Sequence, residues 1–273
     1  MPEFGFAIGI LRSLWAFKML ETRQQEISVE SISCKEVNAN KRKGFGITNV
    51  AALTLILLVS TGHAQTVEDA VATWKKGDPR KAAIALEALA KSGNATAQTM
   101  LGYFYDEGVA GAPDYAKALI WYEKAAAQGQ ADAAFNMAVM YRDGRGTKKD
   151  DAKFYSGIQT AAKLGNPAAQ YNLSQMYLNG DYMPKDGTKS VDWALKAAEG
   201  GDALAQFNMG VAFAQGEIVK LDYIQAYKWL SLASRQGIPN ASGYAGSLMK
   251  KMPARDANEA SRLVESWRPR LKY

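Results

Sequence analysis

The sequence predicts an all-α protein, an α-solenoid of stacked helix-turn-helix repeats with a 36-residue period. Four consecutive blocks align without a gap, apolar residues recur in each block at helical spacing, and a glycine follows each predicted helix. The blocks are residues 95–130, 131–166, 167–202 and 203–238. A repeat of this length is typical of one helical hairpin, which buries its apolar face only by stacking on its neighbours.

The first helix of each block is predicted from an alanine, a leucine or methionine, a small residue and an aromatic residue. In the first block these are Ala97, Leu101, Gly102 and Tyr105, which share one helical face. We expect the small residue to let the second helix approach closely. A glycine three residues after the aromatic is expected to end the helix in the left-handed conformation. These glycines are Gly108, Gly144, Gly180 and Gly216.

The second helix of each block is predicted to begin after a recurrent aspartate, whose carboxylate can accept hydrogen bonds from the first backbone N–H groups. These aspartates are Asp114, Asp150, Asp186 and Asp222. A tryptophan and a pair of small residues share one face of this helix, and a glycine closes the block. The second block departs from the pattern, with Gly157 in place of tryptophan and Phe154 in place of the usual alanine. We therefore expect its second helix to be looser or differently packed.

The pattern weakens at both ends of the repeat array. Residues 65–94 keep part of the register and are interpreted as a degenerate N-terminal capping repeat. Residues 239–273 are interpreted as C-terminal capping helices, the last of them an amphipathic helix between Pro253 and Trp267. A solenoid needs atypical end units to cover its terminal apolar faces.

The repeated columns resemble the Sel1-like repeat (SLR) family, a relative of the TPR repeat. The resemblance rests on runs such as AxAQxxLGYFYDEG followed by DYAKALIWYEKAAAQG, and it covers about residues 66–267. It implies a right-handed α-solenoid whose concave face is lined by the first helix of each hairpin. It also implies an adaptor or scaffold role, with no cofactor and no common enzymatic activity.

Residues 41–64 have the organisation of a secretory signal peptide. Lys41, Arg42 and Lys43 precede an apolar run, and small residues at Gly62 and Ala64 predict cleavage before Gln65. This predicts a periplasmic or secreted protein, with membrane contact only if the segment stays uncleaved as an anchor. A signal so far from the first residue suggests that residues 1–40 are a misassigned, unstructured upstream extension, with synthesis beginning near residue 37.

The chain contains one histidine, His63, and one cysteine, Cys34, and both precede residue 65. The segment after the predicted cleavage site therefore excludes Ser–His–Asp and Cys–His catalysis, zinc sites built on these residues, and disulfides. We expect no metal. The formal net charge of +6 falls to +4 after the predicted cleavage, because residues 1–64 hold seven of the 33 Lys and Arg and five of the 27 Asp and Glu. This excess is spread along the chain rather than clustered, so we expect no nucleic-acid partner.

An asparagine recurs on the predicted first helices at Asn136, Asn172 and Asn208, again with the repeat period. Each side-chain amide offers a donor and an acceptor, so the column can pair with successive peptide units of an extended partner. The alternative is structural: each asparagine bonds a neighbouring helix or loop and helps to set the stacking.

Aromatic residues accompany the asparagines at Phe135, Tyr171 and Phe207, and by resemblance to TPR geometry they point toward the same groove as Tyr103. The alternative for Phe135 and Phe207 is a place in the core between repeats. Arg142 lies near this face and can take a carboxylate.

These features predict an exported, non-catalytic scaffold or adaptor that binds another protein or an extended peptide through the concave face. The alternative is a cell-envelope protein that binds glycans or hydrolyses them with acidic residues alone. Glu107 and Asp143 occupy one column and are the candidate acid pair, although a solvated helix end is the simpler interpretation.

Overall fold

The computed structural model describes residues 66–270, which form twelve α-helices and no strand. The helices are α1 (Val67–Lys75), α2 (Pro79–Lys91), α3 (Ala95–Glu107), α4 (Tyr115–Ala127), α5 (Ala131–Asp143), α6 (Asp151–Leu164), α7 (Pro167–Asn179), α8 (Gly187–Glu199), α9 (Ala203–Gln215), α10 (Tyr223–Arg235), α11 (Ala241–Met249) and α12 (Ala254–Ser266). The predicted upstream extension and signal peptide lie outside the described residues.

Helices that follow one another in the chain pack against one another from α1 to α11, which confirms the all-α solenoid. Repeats 1 to 4 are the hairpins α3–α4, α5–α6, α7–α8 and α9–α10. The hairpin α1–α2 precedes them and packs on α3. The order changes at the end, because α12 packs mainly on α10, with Val264 and Trp267 against the core of the third and fourth repeats.

The caps of the repeats are those that the sequence predicts. Gly108 adopts φ 65° at the end of α3, and its counterparts in the other repeats are also left-handed. The side chain of Asp114 accepts a hydrogen bond from the backbone N–H of Lys117, and the same bond recurs at the start of α6, α8 and α10. Both ends of the turn inside each hairpin are therefore set by local chemistry.

A lysine near the start of the second helix lies over the ring of the first-helix tyrosine in three repeats. The distances from Nζ to the ring centroid are 5.2 Å for Lys117–Tyr105, 4.6 Å for Lys153–Tyr141 and 5.3 Å for Lys189–Tyr177. In the first and third repeats the same lysine pairs with the capping aspartate, at 2.9 and 3.0 Å. In these three repeats the cation–π contact holds the hairpin closed near its turn.

Small residues bring the two helices of each hairpin into close contact, as predicted. A Cβ atom added at Gly210 would lie 2.6 Å from Leu230 Cγ and 3.0 Å from its backbone nitrogen. The second repeat reverses the arrangement: Ala138 keeps its methyl group, and the facing residue is Gly157, where an added Cβ would lie 2.7 Å from that of Ala138. Phe154 is buried in the core beside Ile158. The second helix of this repeat is therefore repacked rather than loose.

Buried glutamines join successive hairpins. The Nε2 of Gln206 donates to the carbonyl oxygen of Ala198 in the preceding helix at 3.1 Å, and its Oε1 accepts from Gln236 at 2.8 Å. Gln98 and Gln170 make the same bond to the preceding helix. The second repeat has Ala134 at this position, so the seam between the first two repeats lacks the bond.

We predict that Gln206→Leu destabilises the protein by about 2 kcal/mol, because it removes two hydrogen bonds of a buried side chain, one to the Ala198 carbonyl and one from the Gln236 amide. The midpoint of urea denaturation, followed by circular dichroism, measures the change. Gln215→Leu is the control, since Gln215 lies on the same helix and is exposed. Equal midpoints for the two variants would show that the buried bond contributes nothing.

We also predict that Gly210→Ala lowers the free energy of unfolding by about 1–3 kcal/mol, because the added methyl group overlaps Leu230. Gly246 occupies the same repeat position on α11, where a Cβ would meet nothing within 4 Å. Gly246→Ala is therefore expected to stabilise the protein by up to about 1 kcal/mol through helix propensity alone. Shifts of the denaturation midpoint in opposite directions for the two variants would support the close contact between α9 and α10 at Gly210. A stabilised Gly210→Ala variant would contradict it.

Candidate partner-binding face

The predicted asparagine column lies on the first helices of repeats 2, 3 and 4. Asn208 is exposed, whereas Asn136 and Asn172 are half-buried. The Nδ2 of Asn208 donates to the Tyr171 hydroxyl of the preceding repeat at 2.9 Å. The Nδ2 of Asn172 donates to the carbonyl oxygen of Ala168 in its own helix at 2.8 Å. Two of the three amides therefore use a donor within the protein.

Asn136 faces the preceding repeat as well, beside the hydroxyl of Tyr122. Burial raises the pKa of the Tyr122 phenol well above its ordinary value, and the Asn136 side chain opposes that rise. For Asn172 and Asn208, the Oδ1 atoms accept no hydrogen bond from any residue in the range 66–270. The column thus combines contacts that set the stacking with acceptors that remain available to a partner, and its binding role stays a prediction.

The aromatic column packs between successive repeats. Phe135 is only 7% exposed and belongs to the core shared by repeats 2 and 3. Tyr171 and Phe207 are half-buried, and Phe207 meets Tyr244 of α11 edge to face, with ring centroids 5.9 Å apart. Tyr103 lies 6.1 Å from the ring of Trp74 in α1. Of these four rings, Phe135 presents the least surface to a partner.

Arg142 is exposed and already holds a carboxylate. Its Nε lies 2.8 Å from Asp143 Oδ1, and its guanidinium carbon lies 5.7 Å from the centre of the Phe154 ring. Arg145 Nε lies 3.7 Å from the other oxygen of Asp143. Asp143 is therefore compensated by two arginines, an environment that suits a structural ion pair better than an acid of a hydrolase.

A polar cluster that sequence reasoning missed lies where repeat 4 begins. Asp202 caps α9 by accepting a hydrogen bond from the Ala205 N–H at 2.8 Å, and burial raises the pKa of its carboxyl group to about 6. Burial of the Tyr171 phenol and, to a smaller extent, the charge of Asp202 raise the pKa of that phenol, whereas the hydrogen bond from Asn208 lowers it. The sequence did contain a sign that a charge is unfavourable at this position, because repeats 1 and 3 have the neutral amide asparagine there.

A second missed feature joins repeats 1 and 2. Arg145 Nη1 lies 2.5 Å from Asp106 Oδ1, a carboxylate only 8% exposed, and the guanidinium lies 5.7 Å from the centre of the Tyr115 ring. The next residue, Gly146, is left-handed, and a Cβ there would meet the Tyr115 carbonyl. The turn between α5 and α6 is thus an ionic clamp on the preceding repeat.

We predict that Asp202→Asn stabilises the protein by about 1–3 kcal/mol at pH 7.5, since asparagine caps equally well and removes a buried charge. A carboxyl group whose pKa rises on folding loses stability as the pH rises through that pKa, from about 4 to about 6. The gain should therefore vanish near pH 3.5. Melting temperatures across this range measure it.

Asp186→Asn is the matched control at the cap of α8. Hydrogen bonds from the Lys189 N–H and side chain lower the pKa of Asp186, so the same substitution is expected to destabilise the protein at neutral pH. Effects of the same sign in both variants would contradict the assignment of a buried, unfavourable charge to Asp202.

Residues 66–270 lack two other kinds of feature. No helix in this range combines the length and hydropathy needed to cross a membrane. The same residues contain no group of three or more acidic side chains, histidines or cysteines placed to hold a metal ion.

Comparison with known proteins relates the chain to one repeat family. The Sel1 repeat model matches residues 95–130, 131–153, 167–202 and 203–238. The crystal structure of a Sel1 repeat protein from Oxalobacter formigenes is 34% identical, with a TM-score of 0.58, over 62% of this chain and 49% of that one. No curated protein matches the chain.

Two further solved structures are similar. One is c5321, a protective antigen present in uropathogenic Escherichia coli strains and displaying an SLR fold, at 27% identity and a TM-score of 0.48, over 74% of this chain and 52% of that one. The other is the immunity protein Pa5087 from Pseudomonas aeruginosa, at 19% identity and a TM-score of 0.48, over 76% and 83%. The chain spans about half the length of the Oxalobacter and Escherichia proteins.

Proposed function

Because the chain belongs to the Sel1-like repeat proteins, which are generally protein-interaction scaffolds, we propose that it is a non-catalytic adaptor. Its partner is an extended segment of another protein. We place the binding surface on the exposed face of the first helices, along the asparagine column. We further propose export to the periplasm or secretion, on the basis of the signal-like residues 41–64.

The observation that carries the proposal is the row of in-register amides with unused acceptors. Asn172 and Asn208 each keep Oδ1 available, and Asn208 stands exposed beside the Tyr171 hydroxyl. Backbone N–H groups of an extended peptide are donors, so they suit such acceptors, and repetition along the stack suits a ligand that is itself periodic. Sequence-tolerant affinity follows, because the contacts are to the peptide backbone.

The proposal predicts that Asn136→Ala, Asn172→Ala and Asn208→Ala, combined in one variant, abolish partner capture with little loss of helicity. The tagged full-length chain is produced in its native host, and copurifying proteins are identified by mass spectrometry. The wild type should retain a protein that the triple variant loses, while both show the same far-ultraviolet circular dichroism.

The matched control is Asn258→Ala, which removes an exposed asparagine from α12, outside the column. It should capture the same protein as the wild type. A triple variant that unfolds would assign the asparagines to stacking, and one that stays folded and keeps its partner would move the binding surface elsewhere.

A further inference from the structure

The repeat register continues into α11, but the residue types at two of its positions change there. The position of Phe135, Tyr171 and Phe207 is taken by glycine, Gly243, and the position of the asparagine column is taken by Tyr244. In repeats 2 to 4 the aromatic residue packs toward the next first helix. At α11 a Cβ on residue 243 would meet nothing within 4 Å.

Contacts between neighbouring repeats follow one rule at these two positions. The asparagine-column residue of a repeat covers the aromatic residue of the repeat before it: Asn208 bonds the Tyr171 hydroxyl, and Tyr244 meets the Phe207 ring edge to face. Because α12 packs mainly on α10, no residue in the range 66–270 covers position 243 in this way. The result is an open depression lined by Asn240, Gly243, Tyr244 and Ser247.

The walls of this depression indicate what it accepts. Tyr244 is 53% exposed although it is a large apolar ring, and its ring already meets that of Phe207 edge to face. The floor is a helical glycine with no side chain, so a ring can lie against the helix backbone. Aromatic rings pair best edge to face or offset, and an added ring here would extend the Phe207–Tyr244 pair.

We propose that this depression binds an aromatic side chain of the partner segment, which takes the place that the chain's own rings take in repeats 2 to 4. This inference rests on the proposed function. The asparagine column contacts only the backbone of the bound segment and therefore does not select a sequence. Selection comes from a phenylalanine, tyrosine or tryptophan at the end of that segment nearest α11. Tryptophan and tyrosine are enriched among the residues that carry most of the binding energy in protein interfaces.

The test uses the full chain and a probe, N-acetyl-L-phenylalaninamide, observed by saturation-transfer NMR at millimolar concentration. Gly243→Phe fills the depression with the protein's own ring, and Gly246→Phe adds the same ring one turn further along α11, where space is also open. We expect the wild type and Gly246→Phe to bind the probe, and Gly243→Phe to bind it about fivefold more weakly. N-acetyl-L-alaninamide should give no comparable signal.

Tyr244→Ala is a second variant, which removes one wall of the depression without filling it. It should also weaken the binding of the aromatic probe. Equal binding by wild type and Gly243→Phe, or no preference for the aromatic probe over the alanine probe, would overturn the inference. The capture experiment reports separately on the asparagine column. Probe binding without partner capture would leave the aromatic subsite standing and refute the scaffold, and the reverse result would refute the subsite alone.

Discussion

The structure depends on the contact between one hairpin and the next, because no single hairpin can bury its apolar face alone. Alanines with essentially no exposed surface, such as Ala97, Ala133, Ala169 and Ala205, allow this contact to be close. The buried glutamines of repeats 1, 3 and 4 then join the hairpins, because each bonds a carbonyl near the end of the preceding helix. Each of these carbonyls also accepts a backbone N–H from the turn that follows its helix, so the glutamine adds a second bond there and sets the stacking.

Much of the fold could be predicted from the sequence, because its determinants are local. Left-handed glycines and capping aspartates act within a few residues, and a period of 36 shows them four times over. The Gly157–Ala138 exchange was visible only as a departure from the pattern. Its meaning required the structure, since two positions on different helices had to be seen in contact.

The candidate site was predicted less completely. The asparagine column was found, but periodicity cannot tell whether an amide faces solvent or a neighbouring residue. Asn172 and Asn208 each donate a hydrogen bond within the protein and keep Oδ1 available. The aromatic column was placed in the groove by analogy, whereas Phe135 lies in the core between repeats. Asp202 and the pair Arg145–Asp106 were missed for two reasons. Tyr171 lies 31 residues from Asp202, and Arg145 lies 39 residues from Asp106, so no local pattern joins them. The raised pKa of Asp202 also depends on its burial, which a linear sequence does not show.

The first two repeats meet through a different chemistry from the others. At the start of repeat 2, Gln130 makes no side-chain cap and Ala134 replaces the bridging glutamine. The polar links across that seam are instead the ion pair Arg145–Asp106 and the hydrogen bond from the Tyr141 hydroxyl to Glu123. Hydrogen bonds between neutral groups depend little on ionic strength, whereas salt screens a partly exposed ion pair. Rising ionic strength therefore weakens the seam between repeats 1 and 2 more than the seams that the buried glutamines join.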